Sequence, residues 1–192
     1  MDLRRTVAAV AALNGLAFGG EVAVALAIGS VALLADSLDF LEDASINLLI
    51  LLGLGWGAAA RARLGRVLAL VILVPGLGAL WMAWQKLQDP VAPDPLALTL
   101  TAGAALLVNF LAALLIARHR HAGGALTRAA FLSARNDVLA NALVILAGLV
   151  TAFLWRSGWP DLLVGLLIAA INAGAAREVW EAAGEESREG AP

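Results

Sequence analysis

Four acidic residues lie close together in an apolar stretch of the sequence. The segment A-D-S-L-D-F-L-E-D-A-S-I-N contains Asp36, Asp39, Glu42 and Asp43. A helix turns about 100° per residue, so it places an amide and three of these acids on one stripe: Asp36, Asp39, Asp43 and Asn47. Carboxylates at bilayer depth are costly, and neighbouring ones repel each other. The pattern therefore predicts a site that binds a divalent cation, protons or both.

A later apolar stretch carries a similar pattern. Ser133, Asp137 and Asn141 follow one another at spacings of four, which places them on one face of a helix. The segment D-A-S-I-N-L-L-I-L-L-G, which begins at Asp43, is also similar to D-V-L-A-N-A-L-V-I-L-A-G, which begins at Asp137. This similarity indicates two three-helix halves inserted in opposite senses. Inverted repeats of this kind place a substrate site near the middle of the membrane.

The composition indicates which solvent surrounds these residues. The chain has 192 residues, of which 61% are hydrophobic and 15% are charged. Soluble domains have roughly half apolar and a quarter charged residues, so lipid must cover part of this chain. At about 20 residues per span, the apolar runs predict helices over 7–29, 31–56, 64–87, 96–118, 126–155 and 160–180. We therefore expect an all-α membrane protein with six transmembrane helices.

The distribution of basic residues predicts the orientation of these helices. One side carries the arginines at positions 4, 5, 61, 63, 66, 118, 120, 128, 177 and 188, whereas the other has only Lys86 and Arg156. The positive-inside rule then places both termini in the cytoplasm of a multi-pass protein of the inner (plasma) membrane. We expect a transmembrane domain over 1–181, a short acidic cytoplasmic tail over 182–192, and no cytoplasmic C-terminal domain.

Several classes of function are disfavoured. The net charge of -2 argues against a nucleic-acid partner, and the absence of cysteine excludes disulfides and thiolate metal sites. The sequence has no nucleophile paired with a base, no Gly-rich phosphate loop and no HExxH segment. We therefore expect neither an enzyme nor a bound cofactor.

The two acidic segments resemble the signatures of a transporter family. G-S-V-A-L-L-A-D-S-L-D-F-L-E-D is similar to the second-span signature of the cation diffusion facilitator family, and R-A-A-F-L-S-A-R-N-D-V-L-A-N resembles its fifth-span signature. Other polar residues also fall where that family places them: Asn14, Glu21, Asn109 and Asp161. The resemblance covers about residues 10–180. It implies a proton-coupled exporter of divalent metal ions with Asp39, Asp43 and Asp137 as metal ligands.

The sequence departs from the family pattern in two respects. Ser133 occupies the position where the family has His or Asp, so the fourth ligand is neutral and weak. Glu42, Asn136 or water could complete the site, and Asp36 is a further auxiliary candidate, although a carboxylate there could simply stabilise the start of a helix. The family's usual cytoplasmic domain, which pairs subunits, is not found, so a homodimer stays an open expectation.

The expected substrates are divalent metal ions of the zinc, cadmium, cobalt, manganese or ferrous class, exchanged for protons. A site of carboxylates and hydroxyls discriminates little among them. Two alternatives use the same acids: a proton-coupled transporter of small molecules or organic cations, and a non-transporting membrane partner with a vestigial metal site. His119 and His121 lie in R-H-R-H-A-G-G, which is either a solvated basic loop or a metal-collecting loop.

Overall fold

Six α-helices make up the part of the chain that the computed structural model describes, which is residues 3–53, 57–117 and 124–171. The helices are α1 (Leu3–Ile28), α2 (Val31–Gly53), α3 (Ala58–Gln88), α4 (Pro95–Ala117), α5 (Gly124–Phe153) and α6 (Trp159–Ile171). No strand occurs within these described residues. The all-α fold is confirmed, and each predicted span overlaps one helix, although the ends of the second and sixth predicted spans, 54–56 and 172–180, lie outside the described residues. The expected tail over 182–192 lies outside the described residues.

The helices differ in how plainly they qualify as membrane spans. Three are long and apolar enough to cross a bilayer: Arg4–Ile28, Arg63–Gln88 and Pro95–Leu115. Two shorter apolar helices cover Asp137–Phe153 and Trp159–Ile171. Helix α2, with 23 residues, falls within the 21 to 26 residues of these three spans, but its four acids make it too polar to be recognised by hydropathy alone. Such acids are tolerated in a membrane helix only where they face the protein interior.

Helix α2 occupies the centre of the bundle. It packs against α1, α3, α5 and α6, while the two largest interfaces join α1 to α2 and α4 to α5. Small side chains dominate the core around α2: Ala25, Ala32, Ala35, Ala79, Ala102 and Ala140. Such residues allow helices to approach closely in a membrane, where packing and polar contacts replace the hydrophobic effect between helices. The equivalent pairing of α1 with α2 and of α4 with α5 is what two similar halves would give.

A tight turn connects α1 to α2 at the position that the sequence predicts. Gly29 has a φ of 66°, a left-handed conformation that favours glycine. Ser30 follows as the N-cap of α2, and its Oγ accepts a hydrogen bond from the Leu33 N–H at 3.1 Å. Such caps satisfy backbone N–H groups that have no partner within the helix.

The side chain of Asp161, at the start of α6, completes this cap. Its Oδ1 accepts hydrogen bonds from the Ser30 hydroxyl at 2.6 Å and from the Ala32 N–H at 3.2 Å. Its Oδ2 accepts from the Val31 N–H at 2.9 Å and from the Lys86 ammonium at 2.6 Å. One carboxylate therefore joins the start of α2, the end of α3 and the start of α6, and it lies at the positive end of the α2 dipole.

This ion pair is buried, with the Lys86 side chain 6% exposed and that of Asp161 fully enclosed. The count of basic residues treated Lys86 as a free charge of an external loop. The ion pair shows that it is not. Helix α6 can approach so closely because Gly165 has no side chain: a Cβ there would lie 2.7 Å from the Val31 carbonyl carbon. The helix contacts and the ion pair fix the same end of the bundle.

Removing the positive partner of Asp161 should destabilise the fold. We expect Lys86→Met to lower the free energy of unfolding by about 3–5 kcal/mol, because it leaves a buried carboxylate without its counter-charge. The measurement is denaturation of the purified protein in mixed micelles. Arg156→Gln is the matched control, since Arg156 is exposed and its loss should cost less than about 0.5 kcal/mol. Equal stability of the two variants would show that the ion pair contributes nothing.

The six-span topology can be tested with single cysteines, because the chain has none of its own. We expect Gly123→Cys to react with a membrane-impermeant maleimide only from the cytoplasmic side. Ala92→Cys, between α3 and α4, should react only from the opposite side. The measurement is labelling of intact cells and of inverted vesicles. Labelling of both positions from one face would contradict this topology.

Candidate functional site

The acids of α2 differ in how deeply they are buried. The Asp36 side chain is 1% exposed, whereas Asp39, Glu42 and Asp43 are half-buried. Asn47, the last member of the predicted stripe, is 9% exposed. The stripe therefore lies within the bundle, as the cost of placing carboxylates against lipid requires.

Asp39 and Asp137 face the same cavity from two different helices. Asp137, on α5, is 6% exposed. The cavity has a volume of about 230 Å³, and its remaining walls come from α5 and α6: Leu139, Ala140, Leu143, Ile168 and Ile171. The two carboxylates are close enough for their charges to repel. The fold thus brings together two acids that are almost a hundred positions apart in the sequence.

Asp43 lies near this pair without joining it in a compact group. Its charge acts on both Asp39 and Asp137. The Asn14 amide of α1 donates to Asp43 Oδ2 over 3.4 Å, which is at the long end for a hydrogen bond. Within the described segments, no three acidic or histidine side chains lie close enough together to hold one metal ion. Like charges repel, and a bound cation would reduce the repulsion that keeps a third carboxylate apart.

Asn47 and Asn141 make the same local contact in the two helices. The Asn47 amide donates to the backbone carbonyl of Asp43 at 2.7 Å, and the Asn141 amide donates to that of Asp137 at 2.8 Å. The similarity between the two sequence segments is therefore also a similarity of side-chain geometry. In each helix, the asparagine one turn after the candidate ligand donates a hydrogen bond to the backbone of that ligand residue.

Asp36 contacts a different partner. Its carboxyl lies against that of Glu21 on α1, and it is not among the side chains that line the cavity of Asp39 and Asp137. No backbone N–H among the described residues donates to it. The expectation that Asp36 stabilises the start of α2 is not supported, because Asp161 occupies that place.

Four candidate residues lie wholly or partly outside the described residues. Ser133 and Asn136 belong to α5, but their side chains lie outside the described residues, as do His119 and His121 entirely. Conversely, the sequence did not single out Lys86 or the contact of Glu21 with Asp36. Glu21 could have been singled out from the sequence, because it is a carboxylate in the middle of an apolar span.

Comparison with known families identifies a matching family model. Residues 7–184 match the model of the cation efflux transmembrane domain, so the match spans all six helices. No curated protein matches the chain. The family consists of transporters rather than enzymes, and the resemblance seen in the two acidic segments is confirmed. The chain therefore belongs to the cation efflux family, as a multi-pass membrane domain that transports cations.

Proposed function

We propose that this protein exports divalent transition-metal ions from the cytoplasm in exchange for protons. The observation that carries the proposal is the cavity shared by Asp39 of α2 and Asp137 of α5, in a chain of the cation efflux family. These two acids come from corresponding helices of the two halves. A substrate held between them is therefore in contact with both parts that have to move during transport.

The chemistry and size of the cavity favour a metal ion over an organic cation. Asp39, Asp43, Asp137 and the Ser133 hydroxyl supply oxygen ligands, which suit manganese, ferrous iron, cobalt, cadmium or zinc with little discrimination. Glu42 and Asn136 are the candidate replacements for a weak fourth ligand. A volume of about 230 Å³ is below the range of roughly 300–1,000 Å³ typical of drug-sized ligands. Asp36 is not part of the proposed ligand set, because it faces Glu21.

Charge balance supplies the coupling to protons. Three carboxylates carry up to three negative charges, whereas the ion carries two positive charges, so binding of metal expels protons from the site. In an alternating-access cycle, cytosolic metal displaces protons, the two halves rock, and protons from outside displace the metal. We assign the protein to the inner membrane with both termini in the cytoplasm, as the positive-inside rule predicts.

Removal of a single candidate ligand should abolish transport. We expect Asp43→Asn and Asp137→Asn to reduce zinc-driven proton flux in proteoliposomes at least about tenfold, since each loses a charged ligand worth more than about 1.4 kcal/mol. Asp89→Asn is the matched control, because Asp89 is an exposed acid between α3 and α4. It should retain wild-type flux.

Full flux in Asp137→Asn would contradict the proposed site. Absence of metal-dependent proton release from the wild-type protein would instead contradict the transport of metal altogether. In that case the same acids would serve an organic cation, or the site would be vestigial.

The residue at position 133 should set the preference among metals. Ser133 stands one helical turn before Asp137, and imidazole is a better zinc ligand than a hydroxyl. We expect Ser133→His to tighten zinc binding more than manganese binding, by about tenfold for each 1.4 kcal/mol gained. Histidine becomes protonated below about pH 6.5, so zinc affinity of the variant should fall more steeply there than that of the parent. Paired calorimetric titrations at two pH values measure both effects, and equal shifts for both metals would place residue 133 away from the ion.

A further inference from the structure

Two buried acids lie in contact away from the cavity of Asp39 and Asp137. Glu21, in the middle of α1, is 3% exposed, and Asp36, on α2, is 1% exposed. Their carboxyl groups are within hydrogen-bonding reach of each other. Each is therefore nine-tenths or more enclosed by protein.

Neither acid has a hydrogen-bond donor in the part of the chain that the structure describes. All four carboxyl oxygens lack a hydrogen-bond partner among the described residues. Two ionised carboxylates in contact and out of water would each lose their hydration and would repel each other. A single proton between them removes the repulsion, because the protonated acid then donates a short, charge-assisted hydrogen bond to the remaining carboxylate.

The surrounding charges offer no other way to compensate the pair. The charged groups that act on it from α2 and α5 are Asp39 and Asp137, which are themselves acids. Helix α4 presents no charged side chain to the cavity beside Glu21. Lys86, at the end of α3, is already paired with Asp161 of α6. Within the described residues, no basic group reaches either carboxyl.

A cavity beside Glu21 indicates which acid keeps the proton. It has a volume of about 360 Å³, and Glu21 and Thr101 are the only polar residues among those that line it, together with small and apolar side chains of α1, α2 and α4. The single carboxyl of Glu21 and the hydroxyl of Thr101 provide too few ligands for a metal ion in this cavity, which Asp36 does not line. Next to apolar surface the neutral form of an acid is favoured, so Glu21 is the donor and Asp36 the acceptor.

We propose that Glu21 and Asp36 form a proton-binding site that is separate from the metal ligands and supplies a proton exchanged during transport. This inference rests on the proposed function. Asp36 stands one helical turn before Asp39, so a divalent ion held at Asp39 brings positive charge close to the pair. The O–H bond of the shared proton then breaks, the proton leaves for solvent, and both carboxylates stay ionised beside the cation. When the ion departs, a proton returns to the pair.

The test compares metal binding and proton release in the same purified protein. Glu21→Gln keeps a hydrogen bond to Asp36 through its amide but has no proton to release. We expect this variant to bind zinc in calorimetry with wild-type affinity within about threefold, yet to release about one proton fewer per ion in weakly buffered solution. Thr101→Val, which changes the lining of the same cavity without removing an acid, is the control and should match the wild type.

An infrared spectrum of the metal-free protein provides a second, independent readout. The wild type should show the carbonyl absorption of a protonated carboxyl, and Glu21→Gln should lose a component of it. Proton release equal to that of the wild type, with an unchanged infrared band, would overturn the inference. So would a wild-type spectrum without any protonated carboxyl, even if the variant fails to fold. A wild type that binds no zinc would defeat the proposed function, and the infrared comparison alone would then decide whether the pair holds a proton.

Discussion

The negative charge of a carboxylate buried in a membrane bundle must be offset by positive charge or by hydrogen-bond donors, and this requirement organises the whole structure. At one end of the bundle the compensation is complete, because Asp161 receives an ammonium, a hydroxyl and two backbone N–H groups. In the middle it is not, since Glu21 and Asp36 have no donor among the described residues. The difference between these two regions separates the part that holds the helices together from the part that we propose responds to ions.

Helix α2 connects the two regions. Its first turn is held by Ser30 and Asp161, so its N-terminal end is tied to α3 and α6 through charged hydrogen bonds. One to two turns later the same helix presents Asp36 toward α1 and Asp39 toward α5. A helix fixed at one end and charged in its middle can transmit the binding of a cation to several neighbours, because it packs against four of them.

The agreement between sequence and structure has identifiable physical reasons. Six helices could be predicted because each apolar run is long enough to span a bilayer, and a chain in lipid satisfies its backbone groups within a helix. The convergence of Asp39 with Asp137 followed from matching motifs on two spans. The looser position of Asp43 could not be predicted, because helical spacing places a residue on a face but does not fix its distance from a neighbouring helix.

The sequence by itself determined the membrane environment, the helices and the face of α2 that carries the acids, since apolar length and helical period are local properties. Only the tertiary structure decided how each acid is compensated. Asp161 meets Lys86 and the start of α2 across separations of 75 and 130 residues, and Asp36 meets Glu21 rather than the cavity of Asp39 and Asp137. Compensation depends on which groups touch across helices, and contacts between distant segments are set by packing, not by spacing along the chain.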